Sequence, residues 1–476
     1  MSVKEEIYYG TWSIGDHDIS LSGILKINYK NNSCVLNLYS DEVVSIPYFV
    51  DVIHGKTYEG KAFTCYKCDV GASAPTSYIH DYKKKYIYEI GCQYMFEGLE
   101  FLNSEDIIFE EVYFSVSNLN KWAFQEAIKR ELNEDSEYVI TTKTIDDITH
   151  QNEDFKLSVS YSTMTDYGYK STNTEKISTD VKFIINFTKP STIEVTHKII
   201  NQIRNFVTLC TTLPTYIEYL TAIPNYPSNQ KLKLPIKIYG RALENEKRDH
   251  IEKLSSTHDY ISLLQISENF NISMKNWFEK NEKLKPVIDL YVSVKHHKTS
   301  YERHFLNLVQ ALEAYHRLTR NNKVLPSEEH KAKLEIILKS VPEEHKEWLR
   351  NKLMFSNEPS LHERLDELLT PKINEHAEEY PFLFGLPGKN KIDLIRDIKN
   401  TRNYNTHFDE RLFRKTVKGE ELIQLIFLLI TMVEFYLLQE LNIDTSIILE
   451  KTRNKTRKIH TRNSMISSME KSYIKL

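Results

Sequence analysis

Residues 304–317 read HFLNLVQALEAYHR, and this stretch decides the fold of the C-terminal half of the chain. Its apolar positions recur every three or four residues, which places them on one face of an α-helix. These positions are Phe305, Leu308, Val309, Leu312 and Tyr315. The same period continues along the chain after about residue 260. We therefore predict that the C-terminal half is helical.

Three further signals mark the starts of helices in this half. Pro326-Ser327 and Pro342-Glu343 each place a proline and acidic first-turn residues where a helix would begin. Ser360 and Glu363 have the spacing of a capping box, in which each side chain bonds the backbone N–H of the other residue. We predict helices from residue 327, from residue 342 and directly after Ser360.

The first 190 or so residues follow a different period. Apolar and polar residues alternate in short runs such as Ile19-Ser20-Leu21-Ser22 and Val181–Phe187, with turn residues such as Lys30-Asn31-Asn32-Ser33 between runs. This period of two is typical of half-buried strands. The predicted fold class is α+β, with a β-rich, sandwich-like domain followed by an all-α helical bundle.

The expected organisation has four parts. They are a β-rich sensing or regulatory domain (1–245), a helical connector (246–294), a helical domain (295–445) and a basic C-terminal tail (446–476). A chain of 476 residues is too long for one ordinary core, in keeping with roughly two to three domains.

Composition limits the partners and the cellular compartment that we expect for the chain. The net charge of -4 argues against a uniformly basic nucleic-acid coat, although a local basic groove is compatible with it. Five cysteines, an odd number, in a long chain without an apolar leader after Met1 indicate free thiols and a reducing, cytoplasmic setting. The apolar run Leu422–Leu438 is shorter than the ~20 residues of a membrane span and carries Gln424 and Glu434, so we interpret it as a buried helix.

Residues 401–407 read TRNYNTH and combine a permanent cation, Arg402, with an imidazole, His407. A histidine can move a proton to or from a ribose hydroxyl, and an arginine can stabilise charge on a phosphate. RNA carries its own nucleophile, the 2′-hydroxyl, so this chemistry needs neither a metal nor a cofactor. A polar helix end that is only capped and salt-bridged is the alternative interpretation.

Spacing adds a structural expectation to this motif. Residues five apart are about 140° apart on an ideal helix, so Arg402 and His407 cannot share a face. Either the helix ends near Tyr404–Thr406 and His407 folds back, or a second protomer completes the site. Ile392, Ile395 and Ile398 are expected to form the inward face of the helix that leads into the motif.

A second arginine and histidine pair lies in the basic tail. Arg453 and His460 have a similar separation, and Asn454 follows the arginine. These residues stand among lysines with little apolar sequence to bury, which favours a solvated tail.

The C-terminal half resembles an ApeA-like HEPN domain over roughly residues 295–445, through HFLNLVQALEAYHR and TRNYNTH. The N-terminal half is similar to the domain that accompanies it in that family, through Gly10 and Trp12 in YYGTWSIG and Gly23 in LSGILKINY. By this resemblance Arg402 and His407 are the catalytic arginine and histidine, and Asn403 is the polar companion that orients them. Glu313, on the facing helix, is a candidate partner of Arg402 that we leave outside the catalytic set.

The resemblance implies a metal-independent endoribonuclease of bacterial anti-phage defence that works by abortive infection. It further implies a homodimer, a phage-derived trigger and cellular RNA as substrate, with transfer RNA as the expected target. No membrane partner and no cofactor are expected. The alternative function is a non-catalytic helical dimerisation or adaptor protein whose β domain binds a ligand.

Two other features carry expectations of their own. Cys65 and Cys68 have zinc-knuckle spacing, and His80 and Cys92 could complete a site, but the alternation around them suits a strand better. The helix expected over 420–440 is apolar nearly all round, which suggests that part of it buries against a second protomer.

Overall fold

The computed structural model of the chain describes residues 5–15, 19–71, 74–76, 85–167, 175–227, 232–243, 251–255, 259–371, 383–386 and 388–460. It divides into two compact units. Unit 1 contains residues 1–204 and 215–253, and unit 2 contains residues 205–214 and 254–476.

Unit 1 is built from antiparallel strands. Along the described chain they are β1 (Glu5–Ile14), β2 (Ser20–Asn28), β3 (Ser33–Ser40), β4 (Phe49–Thr57), β5 (Ala62–Val70), β6 (Ala74–Thr76), β7 (Lys85–Glu97), β8 (Ile108–Val116), β9 (Ile128–Leu132), β10 (Tyr138–Thr142), β11 (Ile148–Gln151), β12 (Phe155–Tyr167), β13 (Glu175–Thr192), β14 (Ile217–Pro224) and β15 (Ile236–Tyr239). Two helices belong to this part of the chain, α1 (Leu119–Trp122) and the first turns of α2 (Ile193–Thr211), whose last residues belong to unit 2. The prediction of a β-rich first half is confirmed.

Six of these strands close into a barrel in the order β1-β2-β3-β7-β5-β4, because β7 pairs with both β3 and β5 and β1 pairs with both β2 and β4. A second sheet has the order β15-β14-β8-β13-β12-β11. It is continuous with the barrel, because β15 pairs with the C-terminal residues of β7, from Met95 to Glu97. Closure removes the free edges that an open sheet would expose.

Trp12 fills the centre of the barrel and is fully buried. A Cβ atom on Gly23 would lie 2.8 Å from the Trp12 ring, and one on Gly55 would lie 2.9 Å from it and 2.3 Å from the carbonyl oxygen of Thr11. Only glycine fits at both positions without displacing the indole. The segments YYGTWSIG and LSGILKINY thus lie on the paired strands β1 and β2, and Gly23 on β2 and Gly55 on β4 make room for the tryptophan. A Cβ atom on Gly10 would instead lie 2.4 Å from the carbonyl oxygen of Lys56 on β4.

Cys65 and Cys68 lie on β5, as the strand interpretation predicted. Both belong to the barrel core, because the backbone at Lys67 has a φ of 51° and shifts the alternation between them. Burial raises the pKa of the Cys68 thiol, which keeps it protonated. No cluster of three or more metal-ligating side chains occurs among the described residues, and His80 lies outside them.

Unit 2 is helical over its described residues. Its helices are α3 (Leu263–Ile266), α4 (Phe270–Asn281), α5 (Lys285–His296), α6 (Tyr301–Thr319), α7 (Ser327–Lys339), α8 (Glu343–Lys352), α9 (Leu361–Leu368), α10 (Lys391–His407), α11 (Gly419–Gln439) and α12 (Thr445–His460). The expected starts near residues 327 and 342 are confirmed, as is the capping box between Ser360 and Glu363. The predicted apolar face of α6 is buried from Phe305 to Tyr315.

Helix α11 is the centre of this unit. It is long and apolar enough to cross a membrane by composition alone, but 78% of its apolar window is buried inside the structure, as in a core helix. Its buried positions run from Leu422 to Leu438 within one chain. Helices α5, α6 and α12 lie around it and cover most of its apolar surface. Burial of the remaining part against a second protomer stays a prediction.

Two other expectations need correction. Ile392 is 69% exposed, and the inward face of α10 consists of Leu394, Ile395, Ile398 and Thr401. The solvated tail is also wrong as far as residue 459, because α12 is a regular helix with Lys451 and Lys455 buried.

A buried ionic cluster explains why these lysines are inside. Glu434 of α11 accepts a hydrogen bond from the hydroxyl of Tyr291 at 2.9 Å and forms an ion pair with Lys295 at 3.0 Å. Tyr291 and Lys295 both lie on α5. Lys455 of α12 donates to the other carboxylate oxygen. Lys451 donates from one turn earlier on α12 to the carbonyl of Cys210 at 2.6 Å. The Glu434 carboxylate thus attracts three ammonium groups, of which those of Lys295 and Lys455 contact it directly.

The pKa values report this surplus of positive charge. Burial alone would raise the pKa of the Glu434 carboxyl, but Lys295, Lys455 and Lys451 together lower it to about 2. Burial, followed by repulsion from Lys455, lowers the pKa of Lys451 to about 7. Burial likewise lowers the pKa of Lys455 to about 8, against the attraction of Glu434. The carboxylate is the anion that the whole cluster requires.

We predict that Glu434→Gln destabilises the helical unit by roughly 3–5 kcal/mol, because it leaves buried ammonium groups without a counter-charge. Thermal unfolding followed by circular dichroism checks this. Glu421→Gln is the matched control on the same helix, since Glu421 is exposed and its distance to Lys389 is 3.9 Å; it should change stability by less than about 0.5 kcal/mol. Equal melting temperatures for both variants would contradict the role of the cluster.

Candidate active site

The motif lies at the C-terminal end of α10. Asn390 caps the start of this helix by accepting a hydrogen bond from the backbone N–H of Asp393 at 2.9 Å. The helix continues to His407, and Phe408 follows in the left-handed conformation (φ 53°, ψ 36°) with its N–H bonded to the carbonyl of Tyr404. The expectation that the helix ends near Tyr404–Thr406 is therefore wrong.

Local hydrogen bonding explains this continuation. Thr406 is a weak helix former, but its hydroxyl donates to the carbonyl of Arg402 at 2.8 Å, one turn earlier. Its side chain thus bonds within the helix and does not compete with it. The helix ends at Phe408, whose left-handed backbone does not continue it.

Arg402 is half-buried, with 32% of its side chain exposed. Its Nη1 donates to Oδ1 of Asn403 at 3.2 Å, and its Nη2 lies 3.8 Å from Oε2 of Glu313 on α6. The pairing of Glu313 with Arg402 is thus present, as a long ion pair between partly exposed groups. Such a pair contributes about 0–1 kcal/mol, so a phosphate could replace the carboxylate at little cost.

His407 is exposed and is the last helical residue. Asn405, between the two ends of the motif, has an amide nitrogen that is buried without a hydrogen-bond acceptor in the described part of the chain. Because α10 is unbroken from Arg402 to His407, the two side chains remain about 140° apart around the helix axis. The two groups therefore leave the helix in different directions.

The segment after the motif is fixed to it. The buried hydroxyl of Thr401, next to Arg402, accepts a hydrogen bond from the N–H of Val417 at 3.0 Å. The Tyr404 ring lies 6.0 Å from the Phe408 ring and 5.6 Å from the Phe413 ring, which sits in a 3-10 helix over Glu410–Lys415. Tyr404 therefore packs against this segment.

The second arginine and histidine pair lies elsewhere. Arg453 is exposed on α12, and the side chain of His460 lies outside the described residues. The neighbouring lysines of α12 are used in the buried cluster around Glu434.

Comparison with protein families now identifies the chain. Residues 7–277 match the family model described as ApeA N-terminal domain 1, and residues 306–447 match the model described as Apea-like HEPN. The chain belongs to the ApeA-like HEPN family. Neither a curated protein nor a solved structure shows a significant match to it.

Membership of the ApeA-like HEPN family places the chain among proteins of anti-phage defence, and HEPN domains are generally nucleases that act on RNA. The HEPN match contains α10 with Arg402, Asn403 and His407, and it contains Glu313. The resemblance based on the two sets of sequence segments is confirmed in both halves of the chain. The segment after Phe408 was not singled out from the sequence, although two aromatic residues and four basic residues between 408 and 418 could have indicated it.

We predict that Thr401→Val loosens the segment after the motif, because it leaves the buried N–H of Val417 without an acceptor, a loss of about 1–3 kcal/mol. Hydrogen exchange at Val417 should become faster. Thr406→Val is the control, since the hydroxyl of Thr406 bonds only within α10 in the described structure. Unchanged exchange at Val417 in the Thr401 variant would contradict the anchoring role.

Proposed function

We propose that this ApeA-like HEPN protein is a metal-independent RNA endonuclease whose composite site joins Arg402 and Asn403 of one protomer to His407 of a second. The observation that supports it best is the course of α10. Its inward face is buried as far as Thr401, whereas the three motif residues lie at its accessible end and on different sides of an unbroken helix. Two copies of the helix end can surround one phosphate, and one copy cannot.

The reaction follows from the chemistry of the three side chains. A neutral imidazole of His407 accepts the proton of the ribose 2′-hydroxyl, and the 2′-oxygen attacks the adjacent phosphorus. The bond to the 5′-oxygen breaks, and that oxygen takes the proton back from the imidazolium of His407, directly or through a water molecule. The products are a 2′,3′-cyclic phosphate and a 5′-hydroxyl. DNA lacks the 2′-hydroxyl and resists.

Arg402 supplies the positive charge that this transition state requires. A guanidinium remains protonated and offers paired donors to phosphate oxygens, so it stabilises the charge that develops on them. Asn403 accepts one N–H of Arg402 at 3.2 Å and holds the guanidinium in position. In the resting chain Oε2 of Glu313 lies 3.8 Å from Nη2 of Arg402, and the substrate phosphate replaces this carboxylate.

The remaining parts of the proposal concern partners. The homodimer forms around the two copies of α10, and unit 1, with its closed barrel and second sheet, senses a phage-derived trigger and restrains the nuclease. The substrate is cellular RNA in the cytoplasm, with transfer RNA as the expected target. Stopping growth of an infected cell by this cleavage is abortive infection.

We predict that His407→Ala lowers RNA cleavage by at least about 10²-fold, because it removes proton transfer from the transition state. Purified protein is incubated with total cellular RNA in EDTA, and the fragment ends are mapped. The wild-type chain should leave 2′,3′-cyclic phosphates, and the variant should leave the RNA intact with an unchanged melting temperature, since His407 is exposed.

Two histidine variants serve as controls for that experiment. His345→Ala, an exposed histidine on α8, and His460→Ala, from the second pair, should both cleave like the wild type. Loss of activity in His460→Ala with retention in His407→Ala would contradict the assignment. The absence of cleavage in wild-type protein and in phage-infected cells, together with weaker dimerisation of Arg402→Ala, would instead indicate the non-catalytic adaptor.

A further inference from the structure

Phe408 occupies an unfavourable position for an aromatic residue. It follows His407 directly, its φ is 53°, and 72% of its surface is exposed. Left-handed backbone conformations suit glycine and asparagine, and a bulky side chain there is a rare exception. An exposed ring also contributes little hydrophobic stabilisation.

Neither the local backbone nor the packing therefore accounts for a phenylalanine at the end of α10. The ring touches Tyr404 at 6.0 Å in an edge-on arrangement, which leaves its flat face open to solvent. Strained residues held in place by their surroundings tend to serve binding or catalysis. An open aromatic face beside a candidate catalytic histidine suits the stacking of a nucleotide base.

The residues that follow supply cations. Arg411 is held by Asp409 at 2.8 Å, and Lys418 lies 3.3 Å above the ring of Phe413, which is itself 50% exposed. Arg414 and Lys415 are exposed and form no ion pair with any residue that the structure describes. The hydrogen bond from Val417 to Thr401 keeps this basic stretch beside Arg402.

We propose that Phe408, Arg414 and Lys415 form a binding platform for unpaired RNA next to the scissile phosphate. Phe408 stacks on one base, and the two cations contact neighbouring phosphates. The platform rests on the proposed nuclease function and narrows its substrate to single-stranded segments such as loops, because a base inside a duplex cannot reach an exposed ring.

RNA fits this surface better than a second copy of the chain does. If this patch itself formed the twofold interface, Arg414 and Lys415 would approach their own copies, so the proposal places the patch at the rim of the α10 dimer interface and not within it. Like charges across an interface oppose association, whereas a polyanion neutralises them. The aromatic ring and the cations then act on one ligand.

The test measures binding with the full chain carrying His407→Ala, so that RNA is not cut. The probe is a short single-stranded oligoribonucleotide containing the fluorescent base 2-aminopurine, which is quenched by stacking. Adding Phe408→Gly should abolish the quenching and weaken binding by about tenfold or more, with an unchanged or higher melting temperature. Phe408→Trp should retain both signals, and Ile392→Ala, an exposed apolar residue of the same helix, is the matched control.

The contribution of the two cations is measured by the salt dependence of RNA affinity. Replacing both Arg414 and Lys415 with Gln should reduce the slope of log affinity against log salt by about 1.4, which is two phosphate contacts at about 0.7 each for a single strand. Quenching should remain, because Phe408 is intact. A slope that does not change would overturn the part played by the two cations.

The possible outcomes separate this proposal from the nuclease assignment. Equal affinity and quenching in Phe408→Gly, or no binding of the oligoribonucleotide at all, would overturn the platform. A shift from dimer to monomer in Phe408→Gly with unchanged RNA affinity would assign the ring to a protein interface instead. Persistent cleavage in His407→Ala would overturn the nuclease site and leave the stacking result standing.

Discussion

An unbroken helix from Lys391 to His407 constrains everything that the motif can do. Its buried side ends at Thr401, so the next residues meet solvent, and its regular rotation sends Arg402 and His407 to different sides. The hydroxyl of Thr406 bonds within the helix, and the left-handed Phe408 ends it one residue after the histidine. This geometry supports the proposed active site shared between two protomers.

The helical unit supports this site with a core that is partly ionic. Glu434 lies in the C-terminal third of the most apolar helix and pairs with Lys295 from α5 and Lys455 from α12, while Lys451 donates to the carbonyl of Cys210. A buried ion pair is weak evidence for net stability, but removal of one partner is strongly destabilising. The cluster joins α12 to α5 and α11 at this position.

Local patterns predicted much of this architecture. The period of two located the strands, the period of 3.6 located α6, and the capping box at Ser360 was read directly, because each depends on residues close in sequence. The closure of the barrel depends on β7 pairing with both β3 and β5, which no local pattern encodes. The order of a β-rich half and a helical half, and the family, could be predicted.

Other features could not be read from the sequence because distant contacts decide them. Lys451 and Lys455 look like solvated tail residues until Glu434 is placed beside them. Ile392 and Ile398 are six residues apart, which puts them about 120° apart around the helix axis. Three isoleucines at a spacing of three residues therefore do not stay on one face, and Ile392 is exposed while Ile398 is buried. The helix end at Phe408 violates the usual preference for glycine, and a propensity-based prediction stops the helix too early.

The most direct measurement of a shared site uses two inactive chains in one dimer. Arg402→Ala and His407→Ala chains carrying different affinity tags are co-expressed, and the heterodimer is purified and assayed for RNA cleavage in EDTA. A site made from two protomers leaves one of the two sites in the heterodimer intact, so about half of the wild-type activity should return. A heterodimer as inactive as either parent homodimer would contradict the shared site.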